Sequence, residues 1–304
     1  MGDFAVTSDT VHTVFAPAPL ANVTVAQSFA FDHSDGTVYT LQLMEGGIQL
    51  KGEDAPVAAD VRRQDGDLCL SHLTRSGVLR GSMYLKGFGH GVALGVQPRS
   101  GTPYIWTECG ARHSKDGYGT AITRFPFSDQ AVLDTDNLPA RSYQPVPGSL
   151  YNAPAVDFTH NRLVLGYTLA GEFRYAVYDL TDFTAGVMKP LYDVSRAGFA
   201  SDETFQGYTL FGPYIYQITG NPYPEIAGES DPTGGGNTYL SAIDIQSGEL
   251  AGRRKVTAAP ALSYREPEGV AVTTASGGAL CTGFASGTGG ARLFSVYGFG
   301  TGTQ

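Results

Sequence analysis

Met83-Tyr84-Leu85-Lys86-Gly87-Phe88-Gly89-His90-Gly91-Val92-Ala93-Leu94, continued by Tyr104-Ile105-Trp106-Thr107-Glu108, reads as apolar strands meeting at a glycine-rich corner. Glycines on both sides of one histidine mark a backbone that turns sharply or is crowded by its neighbours. The same signature, a polar or small residue, then a small or turn-forming residue, then an apolar run, returns elsewhere. It opens Gln27-Ser28-Phe29-Ala30-Phe31, Ala153-Pro154-Ala155-Val156-Asp157, Gln206-Gly207-Tyr208-Thr209-Leu210 and Glu268-Gly269-Val270-Ala271-Val272. With His90-Gly91-Val92-Ala93-Leu94 these make five openings, spaced 63, 63, 53 and 62 residues apart. A near-constant period of this length is the mark of a repeat architecture.

Each opening is followed by further strand-like runs. Second strands are expected at 38–43, 104–108, 162–167, 214–219 and 279–284, and third strands at 68–73, 121–125, 173–178, 239–244 and 292–297. Strict alternation in 173–178 and 292–297 suits half-buried strands. Outer strands are expected at 79–85, 142–146, 190–194 and 253–256. The fifth repeat runs out of chain before its outer strand, while Val11-His12-Thr13-Val14-Phe15 has no repeat of its own. The pattern therefore predicts an all-β, five-bladed β-propeller of four-stranded blades, with the N-terminal strand completing the last blade. A two-sheet sandwich is the rival, and it leaves the period unexplained. The whole chain, 1–304, reads as one domain, with loose termini expected at 1–10 and 300–304.

Composition agrees. Forty glycines, 17 prolines, 17 tyrosines and 16 phenylalanines favour many short strands joined by turns. A net charge of −9 excludes nucleic acid or an anionic membrane surface as the main partner. No window is long and apolar enough for a membrane-spanning helix. Cys69, Cys109 and Cys281 sit singly in apolar runs, which predicts buried free thiols rather than disulfides or a zinc site. No signal peptide is visible at Met1-Gly2-Asp3-Phe4.

Innermost strands line the axis of a propeller, so Gln27, His90, Asn152 beside Ala153, Gln206 and Glu268 are expected at one level around it. Such a ring suits a small polar ligand, an ion or ordered water; equally, its members hydrogen-bond one another and water with no further role. One histidine and one carboxylate among amides make a poor metal set, so no metal or other cofactor is expected beyond an ion in the channel. Glycan binding asks for aromatic faces on sugar rings and amides or carboxylates forked onto hydroxyls. Candidate ligand residues are therefore Gln27, His90, Trp106, Glu108, His113, Asn152, Gln206, Tyr223 and Glu268, with Tyr118, Tyr151 and Tyr208 as further platforms. For the aromatics inside strands, Trp106 and Tyr208, packing between blades is the favoured role; it is the weaker one for Tyr118 and Tyr223, which sit in loops.

An enzyme would need more. Glycosidase chemistry requires two facing carboxylates, for which Glu108, Glu203, Glu266 and Glu268 are available. A lyase acting on uronic acids requires a base such as His90 or Tyr118 and an arginine such as Arg112 or Arg265. The candidate catalytic set is thus His90, Tyr118, Arg112 and Glu268. No phosphate loop, dinucleotide fingerprint or nucleophile elbow is present. A pure interaction scaffold is the third class, since fold does not fix function. The loops 112–119 and 220–237, polar and aromatic, are where contacts on a rigid ring are expected to gather.

The run Met83 to Gly91 with Tyr104 to Glu108, and the openings Phe205-Gln206-Gly207-Tyr208 and Pro267-Glu268-Gly269-Val270, resemble a known β-propeller. It is the one shared by staphylococcal-type phage receptor-binding proteins and teichoic acid biosynthesis protein C. The resemblance spans about Val23 to Phe299 and implies a five-bladed ring that recognises cell-wall glycopolymers. It also implies a secreted, cell-surface or virion-borne protein with glycan as partner. It supplies no catalytic set that transfers residue by residue. It reaches no stem or tower domain, so a free-standing, monomeric propeller is expected.

Overall fold

In the computed structural model, residues 10–99, 101–138, 141–198, 200–224 and 236–300 are described. All but one residue of each expected loose terminus (1–10 and 300–304), and residues 225–235 of the glycine-rich excursion, lie outside them.

The chain opens with β1 (Val11–Pro19). Blade one follows as β2 (Ala26–Phe31), β3 (Val38–Leu43), the short helix α1 (Ala59–Asp65), β4 (Leu68–Leu73) and β5 (Leu79–Lys86). Blade two contains β6 (Gly95–Gln97), β7 (Tyr104–Ala111) and β8 (Gly119–Pro126). The chain then makes β9 (Val132–Asp134) before closing the blade with β10 (Ser142–Tyr143). Blade three is β11 (Leu150–Asp157), β12 (Arg162–Leu169), β13 (Glu172–Asp179), the helical turn α2 (Leu180–Ala185) and β14 (Tyr192–Ser195). Blade four is β15 (Phe205–Phe211), β16 (Tyr214–Thr219), β17 (Tyr239–Asp244) and β18 (Leu250–Lys255). Blade five is β19 (Glu266–Thr273), β20 (Ala279–Thr288) and β21 (Ala291–Phe299), and its outer position is filled by β1.

The ring is closed as the sequence predicts: β1 lies antiparallel to β21, with Val11 opposite Phe299 and Pro19 opposite Leu293. This strand exchange covers the last edge and ties the two ends of the ring together. Apolar residues pointing from each blade towards the next form five buried clusters. Phe15 on β1 enters the cluster of Phe29, Phe31, Val38 and Phe294, so the closing strand is also packed into the core. Cys69, Cys109 and Cys281 are buried and free. No helix among the described residues is long and apolar enough to cross a membrane.

Three elements differ from expectation. His90-Gly91-Val92-Ala93-Leu94 is irregular, and the inner strand of blade two is only Gly95–Gln97. The reason is Glu108 of β7, whose side-chain carboxyl takes the Gly91 amide that a ladder carbonyl would otherwise accept. The outer strand of blade two is the two residues Ser142–Tyr143 rather than 142–146. Finally, β9 leaves blade two and pairs parallel to β5 of blade one, Leu133 opposite Leu85. It is pinned there by Ser82 N donating to Asp129 Oδ1 (2.8 Å) and Tyr84 N to Ala131 O (2.9 Å).

Candidate functional site

Four of the five inner strands, all but that of blade two, carry a break in register near their start. The breaks fall between Ala26 and Ser28, Leu150 and Ala153, Phe205 and Tyr208, and Pro267 and Val270. The residues inside them are Gln27, Asn152, Gln206 and Glu268, the positions read as equivalent from the sequence. A bulge bends the strand and re-aims its side chains, which is what brings these strands together at the axis. Gly207 adopts φ 120° and Gly269 φ 85°. A methyl group on Gly207 would lie 2.9 Å from the Val92 carbonyl oxygen, on a blade that is not its neighbour, and 3.2 Å from the Gly269 Cα. One on Gly269 would lie 3.1 Å from the Ser28 Cα, and Ser28 Oγ donates to the Gly91 carbonyl at 2.6 Å. Backbone from blades one, two, four and five therefore meets across the axis and shuts it. Beyond this diaphragm lies a cavity of about 20 Å³ between Ala30, Leu94, Val156, Leu210 and Val272, room for one water.

On the open side of the diaphragm the chemistry splits into two neighbouring parts. The first is a row of rings. His90 stacks on Tyr118 (centroids 4.7 Å, 26°), and Tyr118 meets Tyr151 edge-on (4.4 Å, 85°). His90 Nδ1 lies 2.9 Å from the Asp116 carbonyl oxygen, which makes that nitrogen the protonated one. Burial lowers the His90 pKa, keeping the imidazole neutral. Tyr151 is 41 % exposed and holds φ 56°, an uncommon conformation for a residue with a Cβ.

The second part is a cleft of about 830 Å³ between blades five and one, lined by Gln27, Glu45, Asp60, Arg63, Glu266 and Arg292 among others. One wall is α1. Its Arg62 points inward and is fully buried, with Nη1 on Glu53 Oε1 (2.6 Å) and Asp67 Oδ2 (2.7 Å) and Nη2 on Glu53 Oε2 (2.6 Å). This pairing holds the Glu53 carboxyl down at about 2. With Arg62 anchored, the next residue, Arg63, faces the cleft and pairs with Asp116 Oδ1 (3.3 Å) in the loop that carries His90's partner. The opposite wall holds Glu266, which takes hydrogen bonds from Gln206 Nε2 (3.4 Å) and the Tyr264 hydroxyl. Arg292 lies over the Tyr264 ring at 3.4 Å. Glu268 hydrogen-bonds Glu266; burial first, then the neighbouring Glu266, pushes its pKa well above the carboxylate range. Glu268 is therefore held protonated.

Gln27, His90, Gln206 and Tyr118 are accordingly brought together around the mouth, with Glu268 buried beneath it against Glu266. Four other expected ligand residues are not at a surface. Trp106 is fully buried between blades two and three, against Tyr143 (5.8 Å) and Phe183 (6.0 Å), its Nε1 donating to Gln97 Oε1 (3.0 Å). Glu108 is fully buried and serves backbone amides. Asn152 is sealed, its Oδ1 accepting from Ser149 Oγ at 3.0 Å. Tyr223 is buried beside the Arg265 guanidinium (5.3 Å). Arg265 itself is spent on the carbonyls of Ala258 and Val256 and on Thr238 Oγ1. Arg112 and His113 are exposed on the loop docked against α1, His113 Nδ1 on Asp65 Oδ1 at 2.6 Å. Sequence reading missed α1 with Asp60 and Arg63, as well as Tyr264 and Arg292. The signal for α1 was present: a run of helix-compatible residues ended by Gly66, which caps it at φ 74°. Among the described residues no three His, Cys, Asp or Glu side chains converge on a metal site.

Residues 25–298 match the family described as the phage 5-bladed beta propeller receptor binding platform domain. The putative major teichoic acid biosynthesis protein C of Bacillus subtilis (strain 168) is 26% identical over 299 residues, covering 94% of this chain. The tail fibre of Staphylococcus aureus phage P68 superposes with a TM-score of 0.72 at 18% identity, over 95% of this chain. This chain spans 62% of the length of the first and 52% of the second. The match over nearly the whole ring, the strand exchange that closes it and the repeated bulged openings agree, and the chain belongs to the family of phage five-bladed β-propeller receptor-binding platform domains.

Proposed function

We propose that this propeller binds a cell-wall glycopolymer on the open side of its diaphragm, as a virion-borne or surface-associated receptor-recognition module. The observation that carries this reading is the 830 Å³ cleft that gathers Gln27, Glu266, Arg63 and Arg292 next to the His90–Tyr118–Tyr151 row. Amide, carboxylate and guanidinium groups fork onto hydroxyls or charged substituents, while the rings offer flat apolar faces to a sugar. The names of the family and of the Bacillus relative point to the same class of ligand. Calorimetry with purified wall teichoic acid, and with a neutral wall polysaccharide for comparison, tests it. Binding that weakens in Gln27→Ala and Gln206→Ala supports the mouth; no heat with either polymer removes the proposal.

A polysaccharide lyase is the second reading, favoured by the contact of a neutral His90 with Tyr118, a base beside an acid. A glycosidase is less suited: Glu266 and Glu268 touch each other, whereas the paired carboxyls of such enzymes stand roughly 5–9.5 Å apart. Uronic-acid polymers incubated with the protein would develop the absorbance of an unsaturated product. Its absence excludes the lyase, and its persistence in His90→Ala excludes His90 as the base.

A further inference from the structure

The diversion of β9 into blade one opens a recess at the rim between blades one and two, one seam round the ring from the cleft and sharing none of its lining residues. Its volume is about 580 Å³. Blade one contributes Met83 to its wall, and the β9 excursion adds Ala131 and Leu133; blade two contributes Tyr104, Arg124, Arg141 and Tyr143. The polar wall is a continuous ladder of cations and rings. Arg99 lies over Tyr104 at 4.7 Å, and Arg124 over Tyr104 at 5.1 Å and Trp106 at 5.3 Å. Trp106 neighbours Tyr143 at 5.8 Å, and Arg141 lies over Tyr143 at 5.0 Å. Gln97 Oε1 accepts from both Trp106 Nε1 (3.0 Å) and Arg124 Nη1 (3.2 Å), fixing the guanidinium in place.

The charges of this ladder are not balanced by protein. Acidic residues outnumber basic ones in the chain, 29 to 20. Arg62, Arg63, Arg174 and Arg253 each take a carboxylate, but among the described residues no ion pair is formed by Arg99, Arg124 or Arg141. Guanidinium groups kept off carboxylates and laid against rings remain free to fork onto an incoming anion. The tyrosine faces beside them suit the sugar or polyol that bears it.

We propose that this rim recess is a second binding site, separate from the mouth, for an anionic saccharide or polyol chain bearing phosphodiester or carboxylate groups. Arg99 and Arg141 take the anions from the exposed ends of the ladder, and Arg124, held by Gln97, takes one at its centre. The site does not depend on the reading given for the mouth.

The test uses three short probes: a glycerol-phosphate oligomer, an oligogalacturonate and an uncharged dextran oligomer. Affinity is measured by calorimetry at two salt concentrations, and amide hydrogen exchange is followed in β8 and β10. At least one anionic probe is expected to bind and slow exchange there, and which one does so separates phosphate from carboxylate. Arg99→Gln with Arg141→Gln, both at exposed positions, is expected to weaken that binding about tenfold or more and flatten its salt dependence. Gln206→Ala at the mouth leaves the rim protection intact. The proposal is overturned if neither anion protects the rim, if dextran protects it equally, or if the double variant binds as the parent does. Failure of the mouth reading would appear elsewhere, as absent protection around Gln27 and Glu266.

Discussion

Glu108 Oε1 lies 2.6 Å from the amide nitrogen of Gly91, and its Oε2 lies 2.7 Å from that of Gly119. One buried side chain thereby replaces the ladder that would have made His90 to Leu94 a strand. It also explains Gly89, where a Cβ would sit 2.1 Å from the Glu108 Cδ. Glu108→Ala orphans two buried amides and leaves a cavity, and is expected to cost about 3–5 kcal/mol, read from urea unfolding. Glu108→Gln keeps one acceptor and turns a donor towards an amide, and is expected to cost about 1–3 kcal/mol.

Acidity changes stability through the same group. Burial raises the Glu108 carboxyl from 4.5 to about 7 in the folded chain. The folded state then holds a proton that the unfolded chain has already released between those values. The stabilisation is complete below about pH 4.5 and is lost as pH rises through 7, by about 3 kcal/mol. The buried, raised Glu268 acts in the same direction. The urea midpoint should therefore fall between pH 5 and 8, and fall less in Glu108→Gln. A midpoint that climbs over that range contradicts the assignment.

The diaphragm tolerates no side chain. Gly207→Ala meets the Val92 carbonyl at 2.9 Å in a conformation near φ 120° and is expected to cost about 3 kcal/mol or more. Gly171 also has positive φ, at 87°, but faces open space, so Gly171→Ala should cost only about 1–2 kcal/mol. Thermal unfolding of the two variants side by side separates crowding from backbone strain.

Arg62 holds the cleft wall. Arg62→Ala strands Asp67 in the interior, leaves Glu53 with Lys86 (3.4 Å) as its remaining cation, and is expected to cost about 3–5 kcal/mol. Because α1 also carries Asp60 and Arg63, mouth binding should weaken while rim binding stays unchanged. Equal loss at both sites would mean that the whole ring had loosened.

The closing strand can be tested through Phe15, which is buried against Phe294 (centroids 6.1 Å). Phe15→Ala is expected to cost about 3–5 kcal/mol. Faster hydrogen exchange should appear first along β21, whose edge β1 covers.

The ring itself was legible because period, alternation and turn residues all speak through local pattern. Val11 to Phe15 announced the strand exchange simply by lacking a blade. The equivalence of Gln27, Gln206 and Glu268 was also visible, as each precedes a small residue at the same phase. What local pattern does not carry is which side of a strand meets a neighbour. Glu108 looks like a recognition residue in sequence, yet it satisfies distant amides, whereas Trp106, whose place inside a strand already favoured packing, fills a seam between blades. The charged neighbours that shape the mouth, Arg63 and Arg292, come from excursions whose placement depends on Arg62 and Tyr264. Nor does any sequence rule anticipate β9, because its partner, β5, belongs to the preceding repeat.

The shut axis bears on how a long polymer can be engaged. With Gly207, Gly269 and Val92 in contact, no chain can be drawn through the ring, and a free end confers no advantage in reaching the mouth. A polymer bound at the proposed mouth would lie across the face. Internal segments are therefore as available as termini, and on a densely grafted surface every repeat along a strand becomes an equal landing place.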